Sequence, residues 1–550
     1  MRASLPLSFA IFAALAAAAC GSNDTSGAGG TGGSTATGGT GGAGGTVGSA
    51  PLQVDTDKGP VKGALVGSSR AFLGIPYAAP PVGDLRWKPP APPAAWTEPF
   101  DASTKGRPCT QFGSLSNKLD AKSGEDCLTL NLWAPEKPSS DKLPVLVWVH
   151  GGGFALGSGS DAAYDGQALS AATGMLVVSI NYRLGPLGFL ALSSLESEDA
   201  AHPSTGAYGI EDQRAALQWV KANIAAFGGD PERVTLFGES AGGISTCMHL
   251  VSPQSEGLFQ RAIIESGPCD TGADKAEALA QGDAFLAALG CDAEPDPLKC
   301  AREKPVEDVM SALPSSVDFF FGTSANWFPV VDGYNIPDRP TKLLEAKSFA
   351  KVPVILGSNA DEGTLFMYLA GEAGKIPDDA AFLALTEKLV PGKGADVVAK
   401  YPTAKYGSAQ AAAAAAVGDA AFVCTARRAA RLIAKAGVPT YLYHFTYVPD
   451  ALLPGMGSFH SAEVKYVLGN PGQLTPKALT DEEVALSATL QGYWSRHADA
   501  GDPNGNGAFA WPKYDEATDE NIVLDLTVSK ESGLHADLCD FWDGIELHVP

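Results

Sequence analysis

Ser240 sits in Gly238-Glu239-Ser240-Ala241-Gly242, a G-x-S-x-G pentad whose central hydroxyl can act as a nucleophile. The pentad follows Val234-Thr235-Leu236-Phe237, an apolar run suited to a buried strand, and leads into a helix predicted to begin near Ala241. A strand that turns at once into a helix forces the corner residue into a strained backbone, and only small neighbours leave room for it. The new helix also points its free N–H groups at any anion formed there. A second glycine cluster, His150-Gly151-Gly152-Gly153-Phe154, follows the apolar run Leu143 to Val149. With no side chains in the way, its backbone N–H groups can approach a substrate oxygen, and fixed donors aimed at developing negative charge are often the largest catalytic contribution. Gly152, Gly153 and Ala241 are therefore the candidate oxyanion donors beside Ser240. Either glycine segment taken alone is also what a flexible tight turn looks like. Their placement after core strands, one ahead of the other, favours chemistry.

The elements that must hold these residues alternate in type. Strand-like runs at Leu143 to Val149, Leu176 to Tyr182, Val234 to Phe237, Ala262 to Glu265, Val352 to Leu356 and Thr440 to Phe445 are rich in β-branched and aromatic residues and nearly free of charge. Strands buried on both faces read this way. Between them, Ile210 to Phe227 and Asp419 to Ala436 have helical spacing, with Ala216, Leu217 and Val220 on one face. The pattern predicts an α/β protein with a central, mostly parallel sheet flanked by helices. Earlier runs at Gln53 to Val66, Arg70 to Ile75 and Leu128 to Trp133 are expected to pair antiparallel and form one edge. The stretches 270–345 and 365–420 lack strong strands and are expected to supply helical insertions covering the sheet's active-site edge. No internal repeat or second linker interrupts residues 51–550, which are expected to form one catalytic domain.

With 550 residues, 45% hydrophobic and 18% charged, the chain can bury a large core and is not a disordered protein. A formal net charge of −23 opposes nucleic-acid binding, which needs clustered Lys and Arg. No His/Cys metal spacing is present, so a metallohydrolase is disfavoured. Asp502-Pro-Asn504-Gly-Asn506-Gly507 imitates the start of a calcium loop but has Lys513 where a bidentate glutamate is required, and reads as a turn. At the N-terminus, Arg2 precedes an apolar stretch from Leu5 to Ala19 that is short for a membrane span and reads as an export signal over residues 1–19. Ala17, Ala18 and Ala19 before Cys20 resemble a bacterial lipoprotein cleavage site, which predicts a lipid on Cys20; Ala17 and Ala19 also fit an ordinary A-x-A site. Residues 21–50 are nearly all Gly, Ser, Thr and Ala and behave as a flexible tether with a reach of roughly 30 Å. Eight cysteines remain after Cys20, an even number that suits pairing after export.

Seven segments together resemble the type-B carboxylesterase family: Glu125-Asp-Cys-Leu-Thr-Leu-Asn131, His150 to Phe154, Asn181-Tyr-Arg-Leu-Gly185, Phe227-Gly-Gly-Asp-Pro231, Phe237 to Gly243, Asp361-Glu-Gly363 and Gly457-Ser-Phe-His460. They occur in the family's order, and the resemblance runs from about Pro51 to Trp542. It implies an α/β-hydrolase fold and a serine carboxylic-ester hydrolase that needs no cofactor.

In that fold the chain order is nucleophile, acid, histidine. His460 follows Ser240 in a Gly- and Ser-containing loop and matches the family's histidine, whereas His444, His497, His535 and His548 lie in strand, helix-like or tail segments. Chemistry alone leaves Asp361 and Glu362 both open as the acid that orients the imidazole; the family position is the glutamate, Glu362. Glu239 matches a further family carboxylate, implying electrostatic support or water ordering, and is equally a helix-start acid that suits the dipole. The resemblance assigns Cys109–Cys127, Cys291–Cys300 and Cys424–Cys539 as disulfides. Cys247 and Cys269 are left to pair with each other, or Cys247 is a buried thiol. Phe319, Phe320, Phe321, Trp327 and Phe328 fall where the family builds its acyl pocket, although core packing explains such residues as well. Cholinesterases hold a quaternary ammonium on a tryptophan within the first disulfide loop. Residues 110–126 contain no tryptophan and only Phe112 as an aromatic, so small to medium carboxylic esters are the expected substrates. A lipase acting on longer acyl esters, or a tethered surface-adhesion module that keeps the fold, are the alternatives; the intact serine, histidine and oxyanion glycines argue against the second.

Overall fold

The computed structural model describes residues 50–113, 118–315, 320–321, 325–505 and 507–545. The expected export signal, Cys20 and the tether up to residue 49 lie outside the described residues, as do Phe319, Asn506 and His548. The strands are β1 (Gln53–Asp55), β2 (Pro60–Lys62), β3 (Ala64–Val66), β4 (Ser69–Pro76), β5 (Phe100–Asp101), β6 (Thr129–Pro135) and β7 (Leu143–Val149). They continue as β8 (Leu176–Ile180), β9 (Gly229–Glu239), β10 (Arg261–Glu265), β11 (Val354–Asn359), β12 (Thr440–Phe445), β13 (Glu520–Leu524) and β14 (Ser529–Ser532). Eleven of them form one sheet in the order β14-β13-β12-β11-β10-β9-β7-β8-β6-β4-β3. From β13 across to β8 every neighbouring pair is parallel. The antiparallel pairs β13–β14, β8–β6, β6–β4 and β4–β3 close the two edges.

The all-apolar strands explain themselves by alternation. On β7, Val145, Val147 and Val149 enter the core on one face while Leu146 and Trp148 enter the core on the other. Leu236 and Phe237 on β9 divide in the same way, as do Ile264 and Ile263 on β10 and Leu356 and Ile355 on β11. A period-two side-chain pattern leaves no solvent face on such strands, so they occupy the sheet's centre.

One expectation about the edges needs correction. Residues 53–62 do not extend the main sheet: reciprocal hydrogen bonds between Thr56 and Gly59 (3.0 and 3.2 Å) fold them into a hairpin, and β5 takes the free edge of β2. A separate three-stranded sheet, β1-β2-β5, results. At the opposite end β13 and β14 were not read from the sequence. Ser529-Lys-Glu-Ser532 is wholly polar and exposed, and only pairing with β13 makes it a strand.

The helices that matter for the site are α1 (Tyr208–Asn223), α2 (Ala241–Val251), α3 (Lys275–Ala288), α4 (Glu362–Leu369), α5 (Ala409–Gly418), α6 (Cys424–Lys435), α7 (Asp481–Ala500) and α8 (Ala536–Trp542). Ala216, Leu217 and Val220 on α1 are fully buried, as their spacing predicted. Asp212 on α1 receives both Nε and Nη2 of Arg183, each at 2.8 Å, a buried bidentate pair that ties the segment after β8 to the helix. Helical insertions supply a third core of their own, in which Ala412, Ala413 and Ala416 of α5 pack with Phe320, Phe366 and Trp542. All eight described cysteines are paired, as Cys109–Cys127, Cys247–Cys269, Cys291–Cys300 and Cys424–Cys539. Cys247 is thus bonded to Cys269 and does not stand as a free thiol.

Candidate active site

Ser240 occupies the corner between β9 and α2 at φ 57°, ψ −121°, a backbone conformation that L-residues adopt only under constraint. The corner is held by Ser240 N–H donating to Glu265 O at 2.9 Å. Gly242 is required because a Cβ there would lie 1.9 Å from Val149 O at the end of β7. Ser240 is partly exposed, while its neighbours Glu239 and Ala241 are buried.

The glycine loop after β7 lies directly against this corner, since a Cβ on Gly151 would come 3.1 Å from Ser240 Cβ. Its support comes from the Asn181-Tyr182-Arg183 segment. Tyr182 OH donates to His150 O at 2.8 Å, and the Tyr182 and His150 rings stack at 4.4 Å. Burial pushes His150 down to about 4, so it is a neutral structural histidine. Asn181 Oδ1 accepts from Gly159 N–H at 2.9 Å and fixes the far side of the loop. Gly153, Ser240 and Ala241 line one cavity, with Gly152 adjacent in the same turn.

His460 is brought to the corner from 220 residues away in sequence. Asp361 Oδ2 accepts from Ser458 N–H at 2.8 Å and Asn359 Nδ2 donates to Phe459 O at 2.9 Å, so the end of β11 holds the histidine loop. His460 Nδ1 then meets Glu362 Oε2 at 2.5 Å. The other oxygen of Glu362 accepts from Ser266 Oγ at 2.6 Å and from Asn359 N–H at 2.7 Å. Between the two candidate acids the geometry is plain: Glu362 is buried against the imidazole, and Asp361 braces the loop. His460 Nε2 lies 3.1 Å from Glu239 Oε1 without hydrogen-bonding geometry, and Glu239 Oε1 accepts instead from Ser461 Oγ at 2.7 Å. No hydrogen bond joins Ser240 Oγ to Nε2 among the described residues, leaving Nε2 open; such contacts often tighten only when substrate binds.

Four carboxyl groups, on Glu239, Glu265, Glu362 and Glu463, are buried here. Burial and the neighbouring carboxylates raise Glu463 to about 8, and burial with Glu463 beside it pushes Glu265 well above the usual range. Both therefore carry protons near neutrality; burial also raises Glu239, against the opposing pull of His460 and the Ser461 hydroxyl. Burial alone would depress the imidazole, but Glu239 and then Glu362 outweigh it and raise His460 to about 9.

Ser266, Asn359 and Glu463 were not anticipated from the sequence. Their only local signals are adjacency to the end of β10, to the acid loop and to His460. Of the aromatic residues read as pocket candidates, Phe320, Trp327 and Phe328 line the cavity, whereas Phe321 packs into the insertion core. The cavity has a volume of about 800 Å³, and Phe189, Phe366, Phe422 and, from the α3 region, Asp274, Glu277 and Gln281 also line it. His444 is held on β12 beside Glu531 at 3.2 Å and His497 is buried on α7 against Ala262 O at 3.2 Å, so neither reaches Ser240. Asp502 Oδ1 accepts from Asn504 N–H at 2.9 Å and forms a turn.

The model of the carboxylesterase family matches residues 50–542. The chain is 36% identical over 507 residues to the para-nitrobenzyl esterase of Bacillus subtilis (strain 168), covering 87% of this chain and 96% of that protein. Among solved structures it is similar to a PNB esterase (TM-score 0.76) and a thermophilic PNB esterase (TM-score 0.75), both 34% identical, with 89% of this chain and 99% of each of those chains covered. The chain belongs to the carboxylesterase family and is a carboxylic ester hydrolase.

Proposed function

We propose that this hydrolase cleaves small to medium carboxylic esters through Ser240 as nucleophile, His460 as general base and acid, and Glu362 as the group that orients the imidazole. The observation that carries this reading is the 2.5 Å contact of His460 Nδ1 with a buried Glu362 whose second oxygen is already saturated by Ser266 and Asn359. With Nδ1 as donor to Glu362, Nε2 is left as the acceptor for the Ser240 proton. Oγ attacks the ester carbonyl, and the oxyanion is received by the N–H groups of Gly152, Gly153 and Ala241. Collapse sends the Nε2 proton to the leaving alcohol and leaves an acyl-enzyme. Water deprotonated by the same nitrogen then releases the acid. Glu239 stands near Nε2 and supports the imidazolium electrostatically. A cavity of about 800 Å³ with aromatic walls suits an ester of drug-like size, and para-nitrobenzyl esters are a sensible first probe given the relatives.

Turnover of a chromogenic short-chain ester by Ser240→Ala, Glu362→Gln and Asp361→Asn tests the assignment. Ser240→Ala should fold and lose activity. Glu362→Gln should lower kcat by at least about 100-fold and Asp361→Asn by only a few-fold, since an amide can still accept from Ser458 N–H but cannot stabilise the imidazolium. A folded Ser240→Ala enzyme with wild-type turnover, or the reverse ranking of the two acids, overturns it.

We further propose that Cys20 carries a lipid and that residues 21–50 tether the catalytic domain, residues 51–550, to a membrane after export. The support is the short apolar stretch ending at a cysteine and the Gly/Ser-rich coil directly after it.

A further inference from the structure

Residues Ala409 to Lys435 form one helical run, 83% of whose most apolar window is buried, but the run is not uniform. Between α5 and α6, Asp419–Val423 form a π-helical turn. Such turns are rare, weaken the local hydrogen bonding and concentrate at functional positions. This one delivers Phe422 to the wall of the Ser240 cavity. The Phe422 ring lies 4.7 Å from the His460 ring at 47°. Phe366 lies 4.9 Å from the same imidazole at 51°, and the two phenyl rings stack on each other at 5.3 Å and 13°.

The two phenylalanines reach His460 for different reasons. Phe366 follows Glu362 by four residues on α4, so a helix that presents the acid presents this ring on the same face. Phe422 comes from a separate helix, and its place depends on the π turn. That turn is held at both ends by the C-terminal segment. Asp419 accepts from Tyr401 OH at 2.8 Å and pairs with His535 Nδ1 at 2.6 Å, while Trp542 Nε1 donates to Tyr401 OH at 2.8 Å. Cys424, the first residue after the turn, is bonded to Cys539 on α8.

We propose that Phe422, set by this π turn, is a positioning residue that holds the His460 imidazole in its working orientation and screens it from cavity water. The proposal rests on the reading of His460 as the base. During turnover the imidazole must receive the Ser240 proton, give it to the alcohol and then serve water, gaining and losing charge each time. Among the described residues its one hydrogen bond is to Glu362, which leaves the ring able to swing about that contact. Aromatic rings packed on it remove that freedom at no polar cost, and a misplacement of about 1 Å in such a group is enough to cost roughly 100-fold in rate.

The test uses the full chain and a chromogenic short-chain ester. His460→Ala serves as the reference, and activity surviving in it would overturn the base assignment itself. Phe422→Ala should lower kcat by about 10-fold or more with KM within about three-fold of wild type, and Phe422→Tyr should recover most of the loss. Carbethoxylation of His460 by diethyl pyrocarbonate, read as loss of activity over time, should be faster in Phe422→Ala because the screen is gone. Phe422→Leu fills most of the volume without an aromatic face; it should follow the alanine variant and replaces it in every comparison if the alanine variant fails to accumulate. An inactive His460→Ala enzyme together with Phe422 variants of wild-type kcat and carbethoxylation rate, or a leucine variant equal to the tyrosine one, overturns the positioning role alone.

Discussion

At the scale of the residue, the site is decided by the environment of charges more than by their number. Four buried carboxyl groups would be untenable as four anions beside one imidazole, and the two farther from His460 in function, Glu265 and Glu463, hold protons instead. Glu265 also accepts from Trp494 Nε1 at 2.7 Å, and Glu463 from Asn359 Nδ2 at 2.5 Å. Burial depresses the imidazole, but Glu239 and then Glu362 outweigh it and raise His460 to about 9. In the proposed mechanism only the neutral imidazole accepts the Ser240 proton, so kcat/KM should rise with pH along a limb whose midpoint lies near 9. Glu239 is the largest of the charges that raise His460. Glu239→Gln removes it, and the midpoint of the rising limb should move down by roughly one pH unit. A kcat/KM profile that stays in place or moves up would show that Glu239 is not ionised next to the histidine.

At the scale of the element, the site is assembled at the ends of β7, β9, β10 and β11, all on one side of a parallel sheet, where helices start and loops meet. The helical insertions matter as walls, and one covalent link ties them down. Cys424–Cys539 joins residues separated by 115 positions, and α8 adds Trp542 and, at its start, His535 as further fastenings on the same turn. Loop-closure entropy puts the stabilisation by such a link at about 2 to 5 kcal/mol. Cys539→Ser should therefore lower the unfolding free energy by an amount in that range, seen as a lower denaturant midpoint, and, by loosening the turn that carries Phe422, reduce turnover as well. An unchanged midpoint by chemical denaturation would show that packing of α8 alone holds the wall.

At the scale of the whole molecule, the proposed lipid anchor at Cys20 makes a prediction about location. Because one acyl chain binds a membrane only marginally and stable anchoring takes more than one, a lipidated Cys20 should keep the enzyme with membranes and Cys20→Ser should release it in active form. Mass spectrometry of the mature N-terminus with fractionation of both forms decides the matter, and an unmodified Cys20 or equal solubility would leave a freely secreted esterase. The chain's own sequence determined the strand-to-helix corner at Ser240, the glycine turn after β7, the central strands and the α/β class, because each is written in a few consecutive residues under backbone periodicity and sterics. Ser240 needs Gly238 and Gly242 beside it, and β7 needs apolar residues on both faces, whatever the rest of the chain does. Resemblance to a family chose Glu362 over Asp361 where local chemistry could not separate adjacent acids. Tertiary structure alone decided the rest: the contact of Glu362 with His460 across 98 positions, the bond from Ser266 across 96, the separate β1-β2-β5 sheet and the π turn behind Phe422. Those depend on sheet register and on which insertion packs against which strand end, and such long-range choices leave no periodic trace in any short stretch of sequence.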